Sequence, residues 1–271
     1  MKARVSEISS EKDQFVVRTD RPEWRLSMKH CQKSLASLIS GLLLLLGVHL
    51  AWGQSLPPLA KHLKPEETAI LFVDFQNNFA TPEGEHYLAY KKVFDDSKML
   101  ENSVDLVKKG RAMGVQVIQV YEGYTPDYRE LDWTNPGTFH RSQISRQAWK
   151  MGTKRVELYE PLRPGPADRD ILLPNRIAVS GFDGNALDYI LKSRGIKNIA
   201  LGGFSTDGCV YATLISAFDL GFHVYAVKDA MASNQIQLSD LLLKESYPKY
   251  SRVIGYKDFL QMLNGSEISK K

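Results

Sequence analysis

Apolar and polar positions along the chain fall into two regimes. From Leu35 to Leu50 the sequence is almost uninterruptedly apolar, with five consecutive leucines at Leu42–Leu46. Beyond Pro57-Pro58 and Pro65, apolar residues come instead in short runs, separated by segments with helical spacing. Ala69-Ile70-Leu71-Phe72-Val73 is a continuous run of the kind found in strands buried on both faces. Leu100, Val104, Leu106, Val107 and Met113 mark a helix closed by Gly114, and Val115–Tyr121 follows as a second strand. Glu122–Lys154 is polar and aromatic with little periodicity, predicting a loop or lid. Further on come a helix over Ala186–Arg194, a strand at Asn198–Leu201 ended by Gly202-Gly203, and a helix over Val210–Leu220. His223–Val227 reads as another strand, Ser251–Ile254 as an edge strand, and Phe259–Leu263 as part of a closing helix. Strands alternating with helices at this spacing predict an α/β doubly wound, mostly parallel sheet with helices on both faces, occupying 54–271.

The first regime reads as a leader. Lys29 and Lys33 precede the apolar stretch, and Ala51 and Gly53 supply small residues at the −3 and −1 positions. This predicts a signal peptide over 28–53, an upstream over-read of the start over 1–27, and an exported (periplasmic or secreted) mature protein beginning at Gln54. The stretch from Leu35 to Trp52 falls just short of a membrane span, so a membrane is a partner only if it stays uncleaved.

Charge narrows the partners. The 271 residues carry 35 Lys+Arg against 31 Asp+Glu; residues 1–53 hold eight and five of these, leaving 27 against 26, a net of +1, for the rest. A nearly neutral domain lacks the basic face with which proteins displace counterions from nucleic acid, so none is expected as a partner. Cys31 and Cys209 cannot form a disulfide framework. Gly202 to Cys209 has neither a P-loop ending nor dinucleotide-loop spacing, and no Gly-x-Ser-x-Gly elbow occurs. His86, His140 and His223 have no partner at ligand spacing. No cofactor and no metal are therefore expected.

In open parallel sheets, ligands bind beyond the carboxyl ends of strands, which singles out two residues. Asp74 directly follows the first strand, where poor solvation suits proton transfer; from position alone, the commoner role is that of a residue capping the next turn. Cys209 lies in Gly202-Gly203-Phe204-Ser205-Thr206-Asp207-Gly208-Cys209-Val210, between a strand and a helix. Amides at a helix N-terminus bias a thiol there toward thiolate and can cradle an oxyanion; alternatively the cysteine is a small apolar residue packing helix onto sheet.

Three separated blocks carry a resemblance. Phe72-Val73-Asp74-Phe75-Gln76-Asn77-Asn78-Phe79, Ser180-Gly181-Phe182 with Leu187-Asp188, and Gly203-Phe204-Ser205-Thr206-Asp207-Gly208-Cys209-Val210 occur in order at ordinary spacing. From about Glu67 onward the chain resembles the isochorismatase-like cysteine hydrolases. The resemblance implies a Rossmann-like three-layer sandwich and an Asp, Lys and Cys triad, with Asp74 moving the proton and Cys209 as nucleophile. It also implies a cis peptide at Phe204-Ser205 and an oxyanion hole from the amides of Ser205 and Cys209. The lysine of that triad is missing from Pro174-Asn175-Arg176-Ile177-Ala178-Val179-Ser180-Gly181-Phe182. Arg176 takes its place counting back from Phe182, Asn175 counting forward from Pro174. Arginine can serve as a fixed positive charge but not as a proton donor.

The expected activity is hydrolysis of a small amide or carbamoyl compound through a cysteine thioester, with Phe79, Tyr124 and Phe182 as pocket walls. The partner is a small-molecule substrate, and family resemblance favours a homo-oligomer. The nicotinamidase reading is weakened because residues 80–95 offer His86 without an Asp-x-His. The alternatives are a catalytically silent binding protein of the same fold, an isochorismatase- or nicotinamidase-type hydrolase, and a thiol redox protein, the last lacking a resolving partner.

Overall fold

The computed structural model describes residues 59–265, so the expected leader lies outside the described residues. Six strands form one sheet: β1 (Thr68–Val73), β2 (Gln116–Glu122), β3 (Ile171–Arg176), β4 (Asn198–Phe204), β5 (His223–Ala232) and β6 (Arg252–Ile254). Their order is β3-β2-β1-β4-β5-β6, and every neighbouring pair is parallel. The chain builds outward from β1 to β3, then returns to β1's other side to lay down β4, β5 and β6. That reversal opens a crevice at the carboxyl ends of β1 and β4.

The helices are α1 (Asn77–Ala80), α2 (Tyr87–Ser97), α3 (Met99–Ala112), α4 (Thr138–Arg146), α5 (Leu187–Ser193), α6 (Cys209–Asp219), α7 (Ile236–Glu245) and α8 (Tyr256–Leu263). One face of the sheet packs Ile70 and Phe72 against Phe94 of α2, Leu106 of α3 and Phe259 of α8. The other packs Leu71 and Val73 against Leu187 and Leu191 of α5 and Val210 and Leu214 of α6. With both faces covered, all six residues of β1 and all seven of β4 are buried, which is why they read as unbroken apolar runs rather than alternating ones.

The doubly wound architecture expected from the sequence is present, with local departures. Asn198–Leu201 does not end at Gly202-Gly203; β4 runs through both glycines to Phe204. At Gly203, where φ is 118°, a Cβ would sit 2.0 Å from the carbonyl oxygen of Val73, so only glycine allows the two central strands to lie this close. Strand β3 was not anticipated, because it is an edge strand containing Pro174 and its exposed positions break any apolar run. Helices α2, α4 and α7 also escaped the periodicity reading. Among the described residues, no helix is long and apolar enough to cross a membrane.

Candidate active site

Strand β1 ends in Asp74, whose backbone turns into the left-handed region (φ 56°), a conformation aspartate tolerates better than most residues. Its amide still donates to the carbonyl of Val120 (2.9 Å), so the turn stays attached to β2. The carboxylate is buried and fully engaged. Oδ1 accepts the main-chain amide of Glu122 (3.0 Å), Oδ2 accepts Nη2 of Arg176 (2.5 Å), and a carboxylate oxygen lies within 4.8 Å of the Cys209 sulfur.

Arg176 is the last residue of β3, 4% exposed, whereas Asn175 is exposed, so Arg176 is the residue beside the aspartate. A register shift makes this possible. Val120 pairs with Leu173 but Glu122 pairs with Arg176, leaving one extra residue on β3, and Asn175 takes a positive φ of 62° within that bulge. Bulges bend a strand and re-aim the side chain that follows. A second guanidinium nitrogen, Nη1, donates to the carbonyl of Val179 (3.0 Å). The following loop is tied to α6: the amide of Gly181 donates to Oγ1 of Thr213 (2.8 Å) and Ser180 to Ser216 (2.8 Å). Arginine and cysteine are thereby held to the same scaffold.

Cys209 opens α6, with Gly208 as its N-cap, and the Phe204-Ser205 peptide just before it is cis, as expected. Neither the amide of Ser205 nor that of Cys209 donates to a protein acceptor among the described residues. The thiol is not the ready-made thiolate that its place at a helix N-terminus suggested. Burial and the charge of Asp74 push it well above the ordinary cysteine value, and Arg176 offsets them only in part. The Asp74 carboxylate, within 4.8 Å of the sulfur, is placed where it could accept that proton.

A fourth group was missed in the sequence. Glu122, the last residue of β2, is 3% exposed and lines the same pocket. One donor atom each of Asp74, Glu122 and Cys209 lie within 4.8 Å of one another, a spacing compatible with a bound cation, but the positive charge beside Asp74 is already that of Arg176. Burial, then the charge of Asp74, push Glu122 up to about 8, against the opposing influence of Arg176 and of Tyr124, whose hydroxyl donates to Oε1 (2.5 Å). Gln76 fixes its backbone, donating to the carbonyls of Glu122 (2.7 Å) and Val156 (2.6 Å). The signal was available: Glu122, like Asp74, is a carboxylate at the carboxyl end of a buried strand, but it read as the first residue of a loop.

The pocket holds about 280 Å³ and is lined by Asp74, Glu122, Cys209 and Ser205 at its floor, with aromatic walls. Of the three aromatic residues expected there, Phe79 lines it, stacked on Phe204 (centroids 4.6 Å apart). Tyr124 is instead fully buried behind Glu122, and Phe182 packs on the α5–α6 side of the sheet against Phe222 (5.9 Å). Neither lines the pocket; both sit one layer away, because each is drawn into an apolar contact or a hydrogen bond that the interior offers and the crevice does not. His86 does line it, stacked on Phe79 and near Trp149; burial, opposed by Glu85 and aided by Arg146, holds its imidazole below the usual value. The polar segment after β2 forms a wall. It is pinned at its base by the amides of Tyr124 and Met151, which donate to the carbonyls of Trp149 and Tyr124 (both 2.8 Å), and it carries α4 and the pocket residues Phe139, Gln143, Arg146 and Trp149.

A parallel sheet with a buried thiol, carboxylate and cation at its switch point defines the class of α/β cysteine hydrolases. Residues 68–258 match the isochorismatase domain, and the chain belongs to the isochorismatase family. It is 32% identical over 178 residues to the ureidoacrylate amidohydrolase RutB of Rhizobium rhizogenes, covering 62% of this chain and 71% of that protein. The corresponding Acinetobacter baylyi protein is 33% identical over 183 residues (64% and 74%). Among solved structures, a cysteine hydrolase from Pseudomonas syringae pv. phaseolicola superimposes with a TM-score of 0.65 at 21% identity, covering 78% of this chain and 99% of that one. N-carbamoylsarcosine amidase from Thermoplasma acidophilum gives 0.55 at 24% identity (70% and 96%).

Proposed function

We propose that this hydrolase cleaves the carbon–nitrogen bond of a small ureido or carbamoyl amide through a thioester on Cys209. The observation that carries the reading is a buried thiol within 4.8 Å of the Asp74 carboxylate, both lining a pocket that admits only a small molecule. Asp74 takes the thiol proton as sulfur attacks the carbonyl carbon, and the developing oxyanion is met by the free amides of Ser205 and Cys209. Arg176 keeps Asp74 and the thiolate balanced at the moment the sulfur carries charge. Water then attacks the thioester, and Asp74 relays its proton back to sulfur.

Two features support the substrate class. The first-named relatives act on ureidoacrylate, and a structural neighbour is named for N-carbamoylsarcosine. Arg146 stands exposed on the pocket wall, where it offers a counter-charge to an acidic substituent. The buried Asp74–Arg176 contact favours this reading over a silent binding protein, since it supplies the fixed charge in the place of the family's lysine. Incubation with 3-ureidoacrylate, N-carbamoylsarcosine and nicotinamide, read by product release and by intact mass of the protein, tests it. Turnover of a ureido or carbamoyl member with an acyl adduct on Cys209 is expected; turnover of none, by a folded protein, defeats the reading. Export belongs to the same proposal and rests on 28–53 alone; a native N-terminus other than Gln54 would count against the cleavage site.

A further inference from the structure

Breaking an amide needs two proton movements: one off the thiol, one onto the departing nitrogen. Asp74, within 4.8 Å of the sulfur, serves the first, and the Arg176 guanidinium on its Oδ2 favours its charged form between transfers. Arg176 cannot supply the second, because arginine keeps its proton throughout the accessible pH range. The remaining titratable pocket residues are His86 and Tyr90 on the aromatic wall and Glu122 on the floor. Tyr90 is a poorer acid than free tyrosine, first from burial, and burial against Phe79 and Trp149 disfavours the protonated form of His86.

Resting on the hydrolytic reading above, we infer that Glu122 is the general acid of the reaction, giving its carboxyl proton to the leaving nitrogen. Geometry favours it. A carboxyl oxygen of Glu122 lies within 4.8 Å of both the sulfur and the Asp74 carboxylate, and the side chain faces the pocket. The groups around it are Asp74 at the end of β1, Tyr124 just after β2, Arg176 at the end of β3 and Cys209 at the start of α6. Tyr124 donates to Oε1, which leaves Oε2 as the oxygen to carry the acid proton. Burial and the neighbouring aspartate keep that carboxyl protonated to about pH 8.

The steps balance. The Cys209 proton passes to Asp74 as the sulfur–carbon bond forms and the carbonyl pair moves to oxygen. On collapse the carbonyl reforms, the carbon–nitrogen bond breaks, and nitrogen takes the Glu122 proton. Asp74 then hands its proton to the Glu122 carboxylate, which restores both groups before water enters. Water loses one proton to Asp74 as its oxygen bonds to carbon; the carbon–sulfur bond breaks and sulfur recovers that proton. One water is consumed, and one acid and one amine are released.

The test compares Glu122→Gln with wild type on two substrates: the amide of the panel turned over fastest, and p-nitrophenyl acetate, whose phenolate departs without a proton. A general acid predicts a loss of about 10²–10⁴-fold in kcat/KM on the amide, with the ester within about threefold of wild type. It also predicts that the wild-type fall in amide kcat/KM above about pH 8 disappears in the variant. Equal losses on both substrates would show that Glu122 only positions the site, and an undiminished amide rate would show that Asp74 returns the proton itself; either overturns the inference while leaving the hydrolytic reading standing. Thermal unfolding and Cys209 alkylation of the variant exclude misfolding as the cause. Wild type inactive on every amide overturns both.

Discussion

The two ends of the sheet each hold an arginine–aspartate pair, and they are built differently. At the amino end, Arg111 of α3 grips Asp170, Nε to Oδ1 (3.1 Å) and Nη2 to Oδ2 (2.6 Å), and also donates to the carbonyl of Leu162 (3.0 Å). That pair borders a groove of about 580 Å³ with no nucleophile on its walls, and the arginine side chain remains 19% exposed. At the carboxyl end, the side chains of Arg176 and Asp74 are each 1% exposed, joined by a single nitrogen, with Nε left without a partner and a second acid and a thiol crowded against them. The first pair is a satisfied clamp between a helix and the approach to β3. In the second, charge is held where it is poorly solvated, which is costly for folding and useful for moving protons. The larger cavity is therefore not the reactive one; the decisive property is the crowding of titratable groups.

Removing the nucleophile makes the sharpest break between the two ends. Cys209→Ala is expected to lower amide turnover by at least about 10⁴-fold and to abolish the acyl adduct, measured by product release and intact mass. Next come the two arginines. Arg176→Met leaves the Asp74 charge buried without its partner and is expected to cost about 3–5 kcal/mol by urea denaturation, along with activity. Arg111→Met is expected to cost about 1–2 kcal/mol and to leave kcat/KM unchanged. Equal stability losses would mean that burial does not separate the two pairs.

A smaller effect concerns pH. Folded Glu122 keeps its proton to about pH 8, while the unfolded carboxyl releases it near its ordinary value of about 4.3. The folded state thus binds more protons across that window, so this group's contribution to stability falls as pH rises through it. Glu122→Gln carries no such charge and should gain on wild type by on the order of 4 kcal/mol between pH 5 and pH 9, by urea denaturation at both. A constant difference would mean that Glu122 is already ionised at pH 5. The smallest signal is the alkylation of Cys209 by iodoacetamide, whose rate should rise with pH only well above the range of a free thiol. In Asp74→Asn the midpoint should move to lower pH, because the neighbouring negative charge is gone.

Asp74 and Cys209 were legible because each follows a strand whose apolar run is unmistakable, and the crevice rule points at such positions. Glu122 obeyed the same rule and was passed over, since the aromatic, aperiodic segment after it absorbed it into a loop. Arg176 was legible only as one of two candidates. Its strand is at the sheet edge, carries Pro174, and has a bulge at Asn175 that adds a residue to the count. Phe182 and Tyr124 were misplaced for a related reason: spacing says that a side chain is near a strand end, not on which side of the sheet it lies or what it bonds.

By itself the sequence determined the alternation of strands and helices, the two-sided burial of the central strands, and the two residues at their carboxyl ends, because these follow from periodicity and from chain neighbours. Only the tertiary structure decided that Asp74, Glu122, Arg176 and Cys209 share one buried volume, since they come from four different elements brought together by strand order and one bulge. It also decided that the thiol rests protonated. A helix terminus favours thiolate, but burial and an adjacent carboxylate oppose it more strongly, and both of those are properties of the assembled fold.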